Sequence, residues 1–344
     1  MSSTSSLPPS PGPPSSGSLD DGLPPDSFAD VLRQVARADP VRPEDLVAAA
    51  ARRDLVGRSV GPFRVLERLG AGGMGVVYAA LDAWLGRRVA LKVLAPKVAW
   101  QADDARIRRE VRLLLREARA AAAITHPNVA AIYAAGEADG IAYIAMEYVD
   151  GITLRARLQP ERGLPVGDAL RYARQLASGA AKAHERGVVH GDLKPDNVMI
   201  DGDDRIKILD FGLARPAPDP DADLAEPSSQ RGGAGGTPAY MAPEQAVEGR
   251  VDARTDVFAL GALFYEMLTG IAPFPPRGDD RAAWSFAPQR PLGELRPDAP
   301  AAMRAIVERC LLCDPVARYT SAGEVLRRMD ATLGGPPSTP RYAR

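Results

Sequence analysis

The stretch VVHGDLKPDNVMI (188–200) decides how this chain is read. Val188 and Val189 lead into Asp192, Lys194, Asp196 and Asn197, and Val198, Met199 and Ile200 turn apolar again. A solvated turn needs no such flanks, and a core strand does not tolerate such charges unless they have partners. The bland reading is a polar loop. The sharper one is a rigid loop that carries a site and is anchored by its apolar ends.

The whole chain limits what that site can be. Its 344 residues leave room for two lobes or two small domains. Hydrophobic residues make up 45% and charged residues 25%, with a formal net charge of −1. This is an ordinary globular balance, and it argues against a general electrostatic attraction to nucleic acid or to an anionic membrane. Cys310 and Cys313 are the only cysteines, which gives no disulfide framework and suits a reducing compartment. His126, His184 and His190 are too scattered to suggest a zinc site. No apolar run reaches the ~18 residues of a membrane span. The opening MSSTSSLPPSPGPPSSGS has neither the basic head nor the apolar core of a secretion signal, so a cytoplasmic location is expected.

Residues 1–27 are dominated by Ser, Pro and Gly and are expected to be disordered, as are residues 335–344. Phe28, Val31, Leu32 and Val35 then recur at helical spacing before Pro40, and PEDLVAAAARRD (43–54) offers a second helix. Residues 28–56 are therefore a helical extension. It docks on the body or does nothing specific, or, as the minority reading, serves as an arm for a regulatory partner.

From Gly57 the texture changes. FRVLERLGAGGMGVVYAALDAWLGRRVALKVLA (63–95) reads as strand, glycine loop, strand, turn, strand. A long helix follows through RIRREVRLLLREARAAAAI (106–124), with strands in AAIYAAGE (130–137) and IAYIAMEYV (141–149). After Gly151 the pattern is helical. LRYARQLASGAAKAHERG (170–187) is amphipathic with Gly187 as its cap, and DVFALGALFYEMLTG (256–270) is apolar with Gly270 in the same role. The expected fold is α+β, a small β-rich part with one main helix followed by a larger, mostly helical part. The join falls near 147–153.

Four other segments carry chemistry. LGAGGMGVVY (69–78) sets Gly70, Gly72 and Gly75 in a G-x-G-x-x-G-x-V pattern that ends at Val77. A dinucleotide-binding motif would open a helix there, but VVYAAL continues as a strand, so the loop suits backbone N–H groups folded over phosphates. VALK (89–92) buries Lys92 at the end of a strand, which is costly unless an anion meets it. Snorkelling to the surface is the alternative. Glu110 and Glu117 both qualify to hold that lysine, because seven residues at ~100° return to within about 20° of one helix face. KILDFGLA (207–214) places Asp210 at a strand end, and Asp210, Asn197 and Asp192 together offer hard oxygen ligands and acceptors for Mg2+ and a phosphate chain.

In this order, G-A-G-G-M-G-V-V, V-A-L-K, H-G-D-L-K-P-D-N, D-F-G and A-P-E resemble a eukaryotic-type protein kinase, and the bacterial (Hanks-type) serine/threonine kinases in particular. The resemblance spans roughly residues 58–334. It implies a bilobal fold with an N-lobe at 58–146, a hinge at 147–153 and a C-lobe at 154–334, with ATP and Mg2+ (Mn2+ as the alternative ion) in the cleft. It assigns Gly70, Ala71, Gly72 and Gly75 to the phosphates, and Lys92 to the α/β-phosphates with Glu117 as its partner. Val77 and Ala90 would roof the adenine and Met199 would floor it. Met146 would be the gatekeeper, with the Glu147 carbonyl and the Val149 amide reading the adenine edge. Asp192 would orient the acceptor hydroxyl and take its proton. A carboxylate is a weak base, so most of its value would be positioning. Lys194 would reach the γ-phosphate, and Asn197 and Asp210 would hold the metal.

Lys194 and GTPAYMAPEQ (236–245), with Thr237, resemble the Ser/Thr branch, so protein Ser/Thr hydroxyls are the implied acceptors. Glu244 would pair with Arg318, Asp256 would brace the catalytic loop, and His190 would pack in the core. Cys310 and Cys313 would share a helix face as buried small hydrophobes. The sequence departs from the family at Gly191, where H-G-D replaces H-R-D. The usual arginine grips a phosphorylated residue in the segment ahead of A-P-E. That segment is PAPDPDADLAEPSSQRGGAGG (216–236), whose only hydroxyls are Ser228 and Ser229. An enzyme active without phosphorylation of this segment is expected. The rival reading is a pseudokinase scaffold that binds ATP and partner proteins, although Lys92, Glu117, Asp192, Asn197 and Asp210 are all present.

Overall fold

A computed structural model describes residues 55–72, 75–94, 104–211, 238–274 and 290–334, with side chains of the first helix from Val111 onward. The segments 1–27 and 28–54, Ser228, Ser229, Thr237, the Glu110 side chain and the tail 335–344 lie outside the described residues.

The first part is a six-stranded antiparallel sheet in the order β1-β2-β3-β4-β6-β5. Its strands are β1 (Ser59–Val60), β2 (Phe63–Gly72), β3 (Gly75–Asp82), β4 (Arg87–Leu94), β5 (Ile132–Ala138) and β6 (Ile141–Glu147). The turn expected at Leu85-Gly86-Arg87 is tied by Asp82, whose Oδ1 accepts from the amides of Trp84 and Leu85 at 3.1 Å each. Alternation along β4 sends Val89, Leu91 and Val93 into one apolar cluster with Leu55, Phe63, Val65 and Tyr78. Leu55 lies in that core although the body is expected to begin at 58. The opposite face, bearing Ala90, Lys92 and Leu94, packs with Ile144 and Met146 against Leu114, Leu115 and Ala118 of α1 (Asp104–Ala121). Both faces of β4 are covered, so Lys92 is buried by its strand position.

The chain narrows to 148–150 before β7 (Gly151–Thr153), which pairs with β8 (Val198–Asp201), itself paired with β9 (Ile206–Ile208). The expected hinge of 147–153 is thus shorter, because its last residues already belong to the second sheet. Gly151 is needed there, since a Cβ would sit 2.0 Å from the Ile200 carbonyl oxygen.

The second part is built on helices. After the short α2 (Leu154–Arg157) comes α3 (Val166–Glu185), which buries Ala169, Tyr172, Ala173, Leu176, Ala177 and Ala180 along one stripe. It ends at Arg186, with Gly187 following in the left-handed region. Beyond α4 (Pro243–Val247), α5 (Ala253–Thr269) is buried from Thr255 to Thr269 and forms the centre of the core. Asp252 and Thr255 cap it reciprocally and Gly270 closes it. Each fully buried Leu or Phe on such a helix contributes roughly 1.5–3 kcal/mol. α6 (Leu292–Leu295), α7 (Ala301–Cys310) and α8 (Ala322–Leu333) pack around it. The cysteine expectation fails in part. Cys310 is buried, but α7 ends there and Cys313 lies exposed past the helix, so the two share no helix face.

Candidate active site

The loop 188–197 runs from the end of α3 to β8 and closes with a 3-10 turn, Pro195–Asn197. Its flanks are buried as their sequence implies: Val188, Leu193 and Val198 join the helical core. Its middle is held from α5. Asp256, fully buried, accepts the amide of His190 at 2.7 Å on Oδ2 and that of Gly191 at 2.8 Å on Oδ1, and it meets His184 Nε2 at 2.9 Å. Burial alone would push the Asp256 carboxyl up. The His184 hydrogen bond, the electrostatic influence of the His184 and His190 imidazoles and the Gly191 amide outweigh it and hold the group below the usual carboxylate range.

His190 is buried, and it does more than fill space. Its Nε2 faces the Leu209 carbonyl at 2.8 Å and must carry the proton, while Nδ1 accepts the Asp192 amide at 3.2 Å. The ring also stacks edge-on with Phe211 at 4.9 Å. The Leu209 amide in turn donates to the Asn197 carbonyl at 2.9 Å. The loop 188–197 and the D-F-G stretch are therefore joined by hydrogen bonds at Leu209 and by the ring contact of Phe211, on either side of Asp210. Asp210 itself takes a positive φ of 57°.

Within the loop, Lys194 Nζ donates to Asp192 Oδ2 at 2.7 Å. Asn197 Nδ2 donates to the Asp192 carbonyl at 2.8 Å and to Asp192 Oδ2 at 3.3 Å. Across the cleft, Lys92 Nζ donates to Asp210 Oδ2 at 2.8 Å with its side chain only 9% exposed. The expected alternative, a lysine that snorkels out, is excluded. Asp210 is an ion-pair partner of Lys92 that the sequence did not assign to it. Glu117, the partner the resemblance implies, is half-buried on α1.

Four of the residues expected around the nucleotide share one sheet face. Val77 lies opposite Lys92 in the β3–β4 register and Ala90 opposite Met146 in the β4–β6 register, so Val77, Ala90, Lys92 and Met146 point to the same side. Gly72 pairs with Gly75 at the hairpin end, Ala71 is exposed, and a side chain at Gly70 would meet nothing within 4 Å. Met199 is half-buried on β8 opposite Thr153, and Val149 is half-buried in the connection between lobes.

Several side-chain bonds that the sequence did not announce surround these residues. Glu147, at the end of β6, is held by Lys207 Nζ at 2.7 Å and by the Ala131 amide at 3.1 Å. Arg155 on α2 donates to Glu266 at 2.6 Å and to the Tyr240 hydroxyl at 2.6 Å, and it meets Asp196 at 3.5 Å. Tyr240 also donates to Glu266. Burial raises the Tyr240 hydroxyl and would lower Arg155. The bond to Tyr240 and the Glu266 charge more than offset this for Arg155, which ends above its ordinary value. A charge inside the apolar helix 256–270 was the legible signal, because a buried carboxylate needs a partner. Gln245 carried no signal. Its Nε2 donates to the Gly191 carbonyl at 2.7 Å. Its neighbour Glu244 makes the expected bidentate pair with Arg318, at 2.8 and 2.9 Å.

The family model described as the protein kinase domain matches residues 63–329. The chain is 36% identical over 273 residues to the serine/threonine-protein kinase PknD of Mycobacterium tuberculosis, covering 78% of this chain and 39% of that protein. It is 34% identical over 278 residues to PrkC of Bacillus subtilis (79% and 40%) and 42% identical over 274 residues to pkn2 of Myxococcus xanthus (77% and 32%), both also named serine/threonine-protein kinases. The chain spans at most about two fifths of the length of these relatives. Among the described residues no helix is long and apolar enough to cross a membrane.

Proposed function

The chain belongs to the protein kinase family, in its bacterial serine/threonine branch, and on that premise we propose that it transfers the γ-phosphoryl group of ATP to Ser and Thr hydroxyls of proteins. The observation that carries the proposal is the pair Lys92–Asp210 across the lobes and the cluster of Asp192, Lys194 and Asn197, with the two sets joined through the backbone bond from the Leu209 amide to the Asn197 carbonyl at 2.9 Å.

The donor set fits a metal-bound nucleotide. Asn197 spends its amide nitrogen on Asp192 and Asp210 spends Oδ2 on Lys92, so Asn197 Oδ1 and Asp210 Oδ1 accept no hydrogen bond from the described residues. Two hard oxygens without a closed protein cage suit Mg2+, which keeps waters and takes phosphate oxygens, with Mn2+ the alternative ion. The ion would supply neutralisation of the charge spread over the transferring phosphoryl group.

The chain's own residues do the rest. Asp192 Oδ2 is occupied by Lys194 and Asn197, which leaves Oδ1 to accept a hydrogen bond from an acceptor hydroxyl, orient it and take its proton. Lys194 beside it stands ready for phosphate charge. Lys92 can exchange one oxygen of Asp210 for a phosphate oxygen, with Glu117 behind it on α1. Val77, Ala90 and Met199 bracket the adenine, Met146 limits the depth of its pocket, and the Glu147 carbonyl and Val149 amide read its edge. Gly70, Ala71, Gly72 and Gly75 offer backbone N–H groups to the phosphates without side-chain obstruction.

The loop is also held without an arginine at 191, because both peptide groups of Gly191 are bonded internally. This supports activity without phosphorylation of the segment 216–236. An arm for a regulatory partner within the extension 28–56 stays the minority reading, and residues 28–54 of it lie outside the described residues. The test is transfer of labelled γ-phosphate from Mg-ATP to the protein itself and to a basic protein acceptor, with wild type, phosphatase-treated wild type and Asp210→Asn side by side. Equal label in the first two and none in the third is expected. ATP binding with no transfer in any sample would overturn the proposal in favour of a scaffold.

A further inference from the structure

The geometry points to Gln245 as a positioning residue for Asp192: we infer that its side-chain amide sets the orientation of the Gly191–Asp192 peptide, and with it the catalytic carboxylate. The inference rests on the kinase reading and deepens it.

Gly191 has φ +73°, a region that costs a residue with a side chain roughly 1 kcal/mol and that glycine enters freely. That freedom leaves the peptide on either side without intrinsic preference, so something else must define it. Two groups do. The Gly191 amide donates to Asp256 Oδ1 at 2.8 Å, and its carbonyl accepts from Gln245 Nε2 at 2.7 Å. The first bond fixes the peptide leading into Gly191, and the second fixes the one leading out, whose nitrogen belongs to Asp192. His190 Nδ1 takes that same nitrogen only at 3.2 Å, so the carbonyl side carries the tighter restraint.

A restraint is only as good as its base, and the base here is rigid. Gln245 sits on α4 directly after Glu244, which is gripped by both terminal nitrogens of the wholly buried Arg318. Arg318 also donates to the carbonyls of Leu312 at 2.6 Å, Cys313 at 2.9 Å and Arg254 at 3.1 Å. Arg254 lies in the first turn of α5, two residues before Asp256. Both clamps on Gly191 therefore trace back to one guanidinium, and the Asp192 backbone is referenced to the C-lobe core through two short side chains. In a chain whose loop has glycine at 191, α4 takes over the orientation of the loop.

The experiment compares wild type, Gln245→Ala and Gln245→Glu. It combines steady-state phosphotransfer to a basic protein between pH 5.5 and 8.5 with amide exchange at residues 190–193 and thermal melts. Gln245→Ala is expected to lower kcat about tenfold, one hydrogen bond's worth of orientation, with KM for ATP unchanged and faster exchange at Gly191 and Asp192. Gln245→Glu keeps the shape but points a carboxylate at a carbonyl, which disfavours its charged form and raises its pKa. Its activity relative to wild type is expected to climb as pH falls and the protonated acid regains a donor, whereas the Ala variant keeps a constant ratio. Unchanged exchange at Gly191 and Asp192 in both variants would overturn the inference, as would a rise in KM for ATP at constant kcat. Absence of phosphotransfer in wild type would refute the kinase reading alone, since the exchange measurement tests the clamp without turnover.

Discussion

Replacing Glu244 with Ala removes the carboxylate from a guanidinium that has no access to water: the Arg318 side chain is 0% exposed and that of Glu244 is 9% exposed. Breaking a buried pair from one side costs about 3–5 kcal/mol, because the remaining charge stays desolvated. Here the guanidinium keeps the carbonyls of Leu312, Cys313 and Arg254, and the Phe258 ring lies 4.8 Å beneath it. Those partners favour the lower end, about 3 kcal/mol. At about 2 °C per kcal/mol for a body of this size, the melting temperature should fall by roughly 6 °C. Glu244→Gln retains the shape and one acceptor and loses the charge, so about 1–2 kcal/mol is expected. The double change Glu244→Leu with Arg318→Met removes both charges and should cost less than Glu244→Ala alone. Urea midpoints and thermal melts at pH 7 give the ranking Ala, then Gln, then the double variant in order of decreasing loss. High salt should leave it intact, since a buried pair is poorly screened. A Glu244→Ala protein that melts within about 1 °C of wild type would show that the three carbonyls alone satisfy Arg318, and the reasoning would fail.

Two further expectations follow from burial and charge. Cys310 is wholly buried and its burial pushes the thiol well above its ordinary value, while Cys313 is exposed. A thiol reagent at pH 8 should therefore label one cysteine in the native protein, and Cys313→Ser should abolish that labelling; native modification of Cys310 would contradict the packing of α7. Asp256 has its folded-state pKa depressed below the unfolded value, so its contribution to stability is complete above about pH 4 and is lost as pH falls through the folded-state value. The stability gap between wild type and Asp256→Asn should be largest at neutral pH and should narrow below about pH 4, and a gap constant down to pH 2 would refute this assignment.

The fold was legible wherever local chemistry and tertiary packing agree. The change of period from 2 to 3.6 near residue 150 marks the passage from sheet to helices, because strands buried on alternate faces and helices buried along a stripe cannot share a pattern. The apolar run 256–270 announced a buried helix, and its expected cap Gly270 falls where the structure places it, while the N-cap Asp252 was not read from the sequence. Boundaries were less legible where a residue belongs to the core through contacts made far along the chain. Leu55 packs with strands reached only later, and Gly151-Ile152-Thr153 looked like a linker until β8 arrived beside it.

The site divides in the same way. Residues whose chemistry is costly anywhere but at a site could be named from their sequence surroundings: Lys92 in a strand and Asp192, Asn197 and Asp210 at strand ends, where charge without a partner would not persist. Which anion meets which cation could not be read. Glu117 suits Lys92 by charge, and the Asp210 carboxylate, 118 positions along the chain, meets it as well. The supporting bonds were least legible of all. Glutamine carries no charge whose burial demands explanation, and its donors can satisfy themselves in water, so nothing in PEQ marks Gln245 as more than a surface residue of a short helix. Its role exists only because Arg318, 74 positions away from Glu244, fixes the helix, and because Gly191 leaves a peptide that needs fixing. On the proposed function, motif chemistry names the groups that would react, while their orientation would depend on neutral side chains that acquire meaning only from the fold.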